Sequence, residues 1–350
     1  MSWQQGKLGD FVEFKYGKGL PERVRSPGIY KVYGSGGVVG SHNKPLVKGP
    51  GIVVGRKGTV GSVYWENDDF FPIDTTFYAL PKADIQNRFV FYLLKSLPLQ
   101  EMNTDAAVPG LNRDNALRLD VNIPTADIQK DIVEFLASYD DLISINNKRI
   151  ELLQKSSMEL FREWFVNYRF PGHEHVKIID GVPEGWEKKK LKELLTLNYG
   201  KALRADNRIP GDFPVYGSSG VVGSHNKALV KGPGIIVGRK GNVGAIYWAH
   251  LDFFPIDTVY FINAEESSYF IYFALLLTTF INTDVAVPGL NRDFAYSREI
   301  IIPTDTLREE FEDEVAPIFQ QCHTIEKYND QLAKARDLLL PKLMSGELAV

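Results

Sequence analysis

The chain has 350 residues, 44 % of them hydrophobic and 24 % charged, with a formal net charge of −4. This composition suits a soluble globular protein with two or more cores and excludes a disordered or fibrous chain. A single cysteine, Cys322, excludes an intramolecular disulfide framework and a cysteine-based zinc site.

In chain order, Leu8 to Tyr16 reads as an entry strand or short helix, followed by a polar loop with Pro21 and Pro27. Val32-Tyr33 opens a strand that Gly34-Ser35-Gly36-Gly37 ends; Val38-Val39 is too short to stand alone, and Gly40 to Lys44 carries turn chemistry. Ile52-Val53-Val54 is a buried strand, Gly55-Arg56-Lys57-Gly58 a hairpin connection, and Val60 to Trp65 the return strand. Phe70-Phe71-Pro72 and Thr75 to Leu80 add further strands, and Asn87 to Met102 reads as a helix. A 3.5-residue apolar period then runs from Ile128 to Trp164, as in a coiled-coil seam, with Asn146 on the seam. Residues 171–183 form a linker, and Trp186 restarts the plan. After Ile302-Pro303 the period returns from Leu307 to Leu343, with Pro317 and Pro341 inside it, so a break or kink is expected near each.

The plan is a repeat. Residues 32–74 align with 215–257 at an offset of 183 without gaps, and 34 of the 43 positions are identical. After a four-residue deletion, NTDAAVPGLNRD (103–114) recurs as NTDVAVPGLNRD (282–293). A period near 180 is a domain plus a connector, too long for a solenoid. The expected architecture is α+β: two β-rich globular domains joined by two long antiparallel coiled-coil helices, with a pseudo-twofold internal repeat. The expected divisions are 1–124 and 171–303 for the domains and 125–170 and 304–350 for the helices. The helix-pair or partner interface is expected to use Ile128, Ile132, Phe135, Tyr139, Leu142, Leu153, Leu160, Phe311, Ile318, Ile325, Leu332 and Leu339.

No phosphate-binding loop, Gly-x-Ser-x-Gly elbow or His-Glu-x-x-His occurs. His173-Glu174-His175 lies on a Pro-Gly linker without further ligands, so no metal site is expected. Asp74/Asp257 and Asp105/Asp284 read as hydrogen-bonded turn aspartates rather than catalytic pairs. Charge is distributed unevenly. Residues 31–65 and 215–251 carry nine lysines and arginines and no acid, whereas 304–350 holds ten acids against five bases. Glycine-flanked cations with Ser, Asn and His are the residue types that reach base edges and phosphates. The candidate contacts are Ser35, His42, Asn43, Lys44, Lys48, Arg56, Lys57 and Thr59, then Ser218, His225, Asn226, Lys227, Lys231, Arg239, Lys240 and Asn242. Tyr33/Tyr216 and Trp65/Trp248 read as core, and Asn112-Arg113/Asn291-Arg292 as a loop tying each domain to its helix. The alternative class is a protein- or glycan-binding scaffold, which leaves the acid-free basic loops unexplained.

The whole chain resembles the specificity subunit of type I restriction-modification systems. The resemblance rests on the duplicated domain, on Val-Pro-Gly-Leu-Asn-Arg before each Ile-Pro (108–113 with 123–124; 287–292 with 302–303), on Gln129, and on Leu-Leu-Leu-Pro-Lys-Leu-Met-Ser-Gly-Glu-Leu at 338–348. Arg308-Glu309 and Pro317 depart from that pattern in the second copy. The resemblance implies a non-catalytic protein whose domains each read half of a split double-stranded DNA site. It also implies two modification (methyltransferase) subunits docked on the helices, with S-adenosylmethionine bound by those subunits and no cofactor here; restriction subunits are a further, optional partner. No membrane association is expected: no apolar run approaches ~18 residues, and no basic-then-apolar leader is read at the start, so the expected location is cytoplasmic.

Overall fold

A computed structural model describes residues 3–82, 85–102, 110–280 and 289–349. Asp105, Asp284, Val108-Pro109 and Val287-Pro288 of the repeated motifs lie outside the described residues. The chain divides into two compact units, Met1–Ile145 with Tyr328–Val350, and Asn146–Lys327.

In the first unit the elements run β1 (Trp3–Lys7), α1 (Leu8–Phe11), β2 (Val12–Tyr16), β3 (Tyr30–Gly34), β4 (Gly37–His42), β5 (Gly51–Gly55), β6 (Val63–Glu66), β7 (Phe70–Pro72), β8 (Thr76–Pro81), α2 (Asn87–Ser96), α3 (Arg113–Leu117), β9 (Asp120–Pro124) and the start of α4 (Ala126–Phe161). They form a two-stranded sheet β1-β9, a four-stranded antiparallel sheet β2-β8-β5-β6, and a three-stranded sheet β4-β3-β7 in which β3 and β7 run parallel. Strand β5 is flanked on both sides, and its β-branched residues Ile52, Val53 and Val54 are fully buried, as a central strand requires. Val38-Val39, too short by sequence to form an element, belongs to β4. This edge strand owes its existence to pairing with β3, and both valines stay exposed.

The second unit repeats this plan with β12 (Glu187–Lys190), α5 (Leu191–Leu194), β13 (Asn198–Tyr199), β14 (Phe213–Gly217), β15 (Gly220–His225), β16 (Gly234–Gly238), β17 (Ile246–Ala249), β18 (Phe254–Pro255), β19 (Val259–Ile262), α6 (Tyr269–Leu277), α7 (Arg292–Tyr296), β20 (Glu299–Ile302) and α8 (Asp305–Ser345). Its sheets are β12-β20, β13-β19-β16-β17 and β15-β14-β18, preceded by a hairpin of β10 (Ile178–Ile179) and β11 (Val182–Pro183).

Each long helix is shared. In the first unit Ile132 and Leu136 of α4 enter one core with Leu340, Leu343 and Met344 of α8. Asp140 pairs with Arg336 and also accepts from the Tyr92 hydroxyl at 2.6 Å, so residue numbers rise on one helix as they fall on the other. Gln129, singled out by the resemblance, is buried. It donates to the Pro124 carbonyl at 2.9 Å and accepts from Gln86 N at 3.1 Å, which seats α4 on the globular part. In the second unit Phe161 and Trp164 pack against Phe311, with ring centroids 5.7 and 5.9 Å apart. The α-helical part of α4 ends at Phe161 and closes in a π-turn over Arg162–Val166, short of the expected residue 170.

The break expected in the second long helix does not occur. Helix α8 is unbroken through Pro317 and Pro341. Both prolines are exposed, while Val315, Phe319, Leu340 and Leu343 on the opposite face are buried, so packing outweighs the lost backbone bonds. The seam also differs in composition. Ile132 and Phe311 are buried, but Ile128, Phe135, Tyr139, Leu142, Leu153, Leu160, Ile318, Ile325, Leu332 and Leu339 are half-buried flanks. Val315 and Phe319 take the centre because α8 also faces α6: Phe319 lies 4.5 Å from Tyr269 and 5.8 Å from Phe273. A second neighbour turns the buried stripe toward the 3.6-residue period of a globular helix. Among the described residues no helix is long and apolar enough to cross a membrane.

Candidate nucleic-acid interface

The basic loops of the first unit fall into two groups at opposite ends of β4. Six strand residues at roughly 3.3 Å each separate them by about 20 Å. At one end the turn Ser35-Gly36 meets the β5–β6 connection. Ser35 Oγ accepts from Thr59 N at 3.4 Å, and the Ser35 carbonyl accepts from Ser62 Oγ at 2.6 Å and Tyr64 Oη at 3.3 Å. Gly58 has φ +86°, and a Cβ there would lie 3.1 Å from Ser35 Oγ, so this position needs glycine for both its conformation and its space. The backbone N–H groups of Arg56 and Lys57 both donate to the Thr75 carbonyl, and Leu111 N donates to the Arg56 carbonyl at 2.8 Å. These bonds bring the 110–113 segment beside the loop.

Tyr16 completes this end. It is 51 % exposed, and two guanidinium groups lie against its ring, Arg56 at 5.2 Å and Arg113 at 5.4 Å. Arg56 also lies 5.9 Å from the Phe77 ring. Together with Lys57, Leu111 and Asn112 these residues line a cleft of 210 Å³. The second unit builds the same group: Tyr199 is 50 % exposed, with Arg239 at 5.0 Å and Arg292 at 5.1 Å. There Arg239 Nη1 also donates to the Asp257 carbonyl at 3.0 Å, and Ser218 Oγ accepts from Asn242 N at 3.4 Å. Lys57, Thr59, Lys240 and Asn242 are exposed beside these groups.

At the other end of β4, Asn43, Lys44 and Lys48 are exposed on a loop whose Gly49 N donates to Asp69 Oδ1 at 2.9 Å. Asn226, Lys227 and Lys231 are exposed on the equivalent loop, where Gly232 N donates to Asp252 Oδ1 at 3.0 Å. An acid thus sits beside each of these lysine-bearing loops, and Asp114, 3.3 Å from Arg113, is part of the lining of the Tyr16 cleft.

The histidines are a correction. His42 Nδ1 accepts from Ser26 N, and His225 Nδ1 from Ile209 N, each at 3.1 Å. Their rings stand edge-on to Phe71 and Phe254, and His225 is 9 % exposed. They brace the loop before β3 and β14, because a ring between a backbone donor and an aromatic face is satisfied inside the fold. Sequence reading overlooked Tyr16/Tyr199 and placed Arg113/Arg292 in a structural tie. Asn112 and Asn291 do tie, each capping its short helix by accepting two backbone N–H bonds. The neighbouring arginines are presented outward by those caps. The usable signal was the repetition of an exposed Tyr before Gly-Lys (16–18, 199–201) together with an Arg at each end of the motif.

Each of the two β-rich units thus sets two arginines against an exposed tyrosine beside a basic loop, the chemistry of a polyanion-binding class of protein. The sequence matches the type I restriction modification DNA specificity domain over residues 1–155 and 183–305, and the chain belongs to that family. It is similar to the type I restriction enzyme MjaIX specificity subunit of Methanocaldococcus jannaschii, with 26 % identity over 309 residues, covering 77 % of this chain and 71 % of that one. It is similar also to the type I restriction enzyme HindI specificity subunit of Haemophilus influenzae, with 24 % identity over 392 residues, covering 84 % and 85 %. The fold is that of the crystal structure of a type I restriction-modification S subunit from M. genitalium, with a TM-score of 0.56 and 18 % identity over 98 % of this chain and 96 % of that one.

Proposed function

We propose that this chain is the non-catalytic DNA-reading subunit of a type I restriction-modification complex in the cytoplasm, and that each unit reads one half of a split duplex target through its Arg–Tyr–Arg group. The long helices set the gap between half-sites and dock two modification subunits, which bring S-adenosylmethionine and carry out adenine methylation; restriction subunits complete the assembly where present. The observation that carries this reading is that Arg56, Arg113 and Tyr16 recur as Arg239, Arg292 and Tyr199 with nearly the same spacings. A guanidinium is a planar fork of donors matched to guanine in the major groove, and an aromatic face beneath it limits the orientations it loses on binding.

The test is duplex binding by fluorescence anisotropy across a salt series, using the motif that the complex methylates. Wild-type affinity is expected to fall steeply with salt. Arg113→Ala and Arg292→Ala are each expected to cost about 1–3 kcal/mol and to relax one half-site only. An equal loss on random DNA would make them phosphate contacts, and unchanged binding in both variants would refute the assignment. Binding that ignores salt would instead favour a protein- or glycan-binding scaffold.

A further inference from the structure

The second unit carries a cluster that the first lacks. His250 follows β17, and His323 and Glu326 lie three residues apart on one face of α8; one ligand atom from each falls within 4.8 Å of the others. The two imidazoles are stacked, with centroids 4.8 Å apart and planes 15° apart, and His323 Nδ1 lies 3.7 Å from Glu326 Oε2. The cluster's place in the repeat is informative. In the first unit the corresponding positions are Asn67, Ser144 and Asn147. Asn67 has a structural task there, accepting from Trp65 Nε1 at 2.7 Å. With histidine in its place, Trp248 Nε1 is buried without a partner, and so is His323 Nε2. The His323 Nε2 has a lone pair or a proton that a solvent-excluded site leaves unused, and of the two nitrogens it is the one a cation could engage.

We propose that His250, His323 and Glu326 form a site for a borderline transition-metal cation of the Zn²⁺, Co²⁺ or Ni²⁺ class. Two imidazoles and one carboxylate suit such an ion, with water completing the shell. A carboxylate and an imidazole three residues apart on one helix, joined by a ligand from a neighbouring element, is an arrangement by which helical proteins hold metals. The bound ion pins the loop after β17 to α8, and so fixes the seat of the second unit's sheet on its helix. It has no part in methyl transfer.

The full chain, stripped with chelator and desalted, is titrated with Co²⁺ and followed by its visible d–d absorption, then with Zn²⁺ by calorimetry and thermal melting. One equivalent is expected to bind, with a rise in melting temperature. His250→Asn restores the residue of the first copy, and so an acceptor for Trp248, and is expected to abolish binding while the chain stays folded. The double variant His173→Ala/His175→Ala removes the histidine pair before β10 in the same unit and is expected to leave binding unchanged. Absence of stoichiometric binding, binding that survives His250→Asn, or binding lost only in the His173/His175 variant would each overturn the proposal.

Discussion

The two copies diverge most informatively at single side chains. In the first unit Glu66 is 3 % exposed, accepts from the Tyr33 hydroxyl at 2.7 Å, and pairs with the Lys31 ammonium at 2.9 Å. In the second unit Ala249 and Pro214 stand in place of Glu66 and Lys31, and only the tyrosine, Tyr216, is kept. Burial alone would push the Glu66 carboxyl up, but the Tyr33 hydroxyl, the Lys31 ammonium and the Asp68 N–H outweigh it and hold the carboxyl below its ordinary value. A carboxylate lowered on folding stabilises the fold fully above its unfolded value, 4.5, and loses that contribution as pH falls through the lower folded value. Glu66→Ala is therefore expected to destabilise the first unit by about 1–3 kcal/mol at neutral pH, chiefly by leaving Tyr33 buried and unpaired. Half-exposed Lys31 contributes little to that loss. The gap between denaturant melts of wild type and variant should narrow as pH drops below 4.5, leaving the part due to Tyr33's lost acceptor; a gap that stays constant would show that the charge is irrelevant. None of this network was legible in the sequence, because Lys31, Tyr33 and Glu66 come together only where β3 of one sheet packs against β5 and β6 of another. Arg56 and Lys57 were legible because the glycine-flanked loop that holds them is contiguous.

Among the elements, strands and helices that keep their own period were readable, and those defined by a neighbour were not. The β5 run Ile52-Val53-Val54 announces itself, whereas β4 exists because β3 offers it a partner. Helix α8 is the clearest case. Its two prolines predict an interruption that packing overrides, since Val315 and Phe319 bury the face opposite Pro317. The proline still removes an N–H bond to the Asp313 carbonyl and crowds the turn before it. Pro317→Ala is thus expected to stabilise the second unit by about 1–3 kcal/mol, read as a higher melting temperature. A loss of stability would mean that a bend at Pro317 is needed to seat Phe319 against Tyr269 and Phe273. The same reasoning explains why Phe319 is buried beside half-buried Ile318: a strict 3.5-residue count assumes one neighbouring helix, and this stretch of α8 has two neighbours.

At the scale of the whole chain, the duplication reaches the proposed contact residues. Tyr16, Ser35, Arg56, Lys57 and Arg113 have identical counterparts in Tyr199, Ser218, Arg239, Lys240 and Arg292, and within the two reading loops the copies differ at Gly36/Ser219, Thr59/Asn242 and Ser62/Ala245. The change at 59/242 leaves its backbone bond in place, since Thr59 N and Asn242 N donate to Ser35 and Ser218 Oγ at the same 3.4 Å, whereas Ala245 cannot make the bond that Ser62 Oγ gives to the Ser35 carbonyl. Readers of equal chemistry should select equal base sequences, and copies used on opposite strands turn equal sequences into an inverted repeat. The expected target is an interrupted palindrome, imperfect where the copies differ: at Gly36/Ser219, Thr59/Asn242 or Glu66-Asn67-Asp68 against Ala249-His250-Leu251. Threonine contacts a thymine methyl or a phosphate, whereas asparagine favours adenine, so this pair is the natural source of asymmetry. Mapping methylated adenines in a host that expresses the complete complex will show the motif. With Thr59→Asn the two half-sites are expected to become identical, and with Asn242→Thr they should converge on the other sequence. Half-sites of unrelated sequence in the wild type would mean that bases are read by residues outside the Arg–Tyr–Arg groups, most directly by the divergent stretch Glu66-Asn67-Asp68 against Ala249-His250-Leu251 at the far end of each β4-type strand.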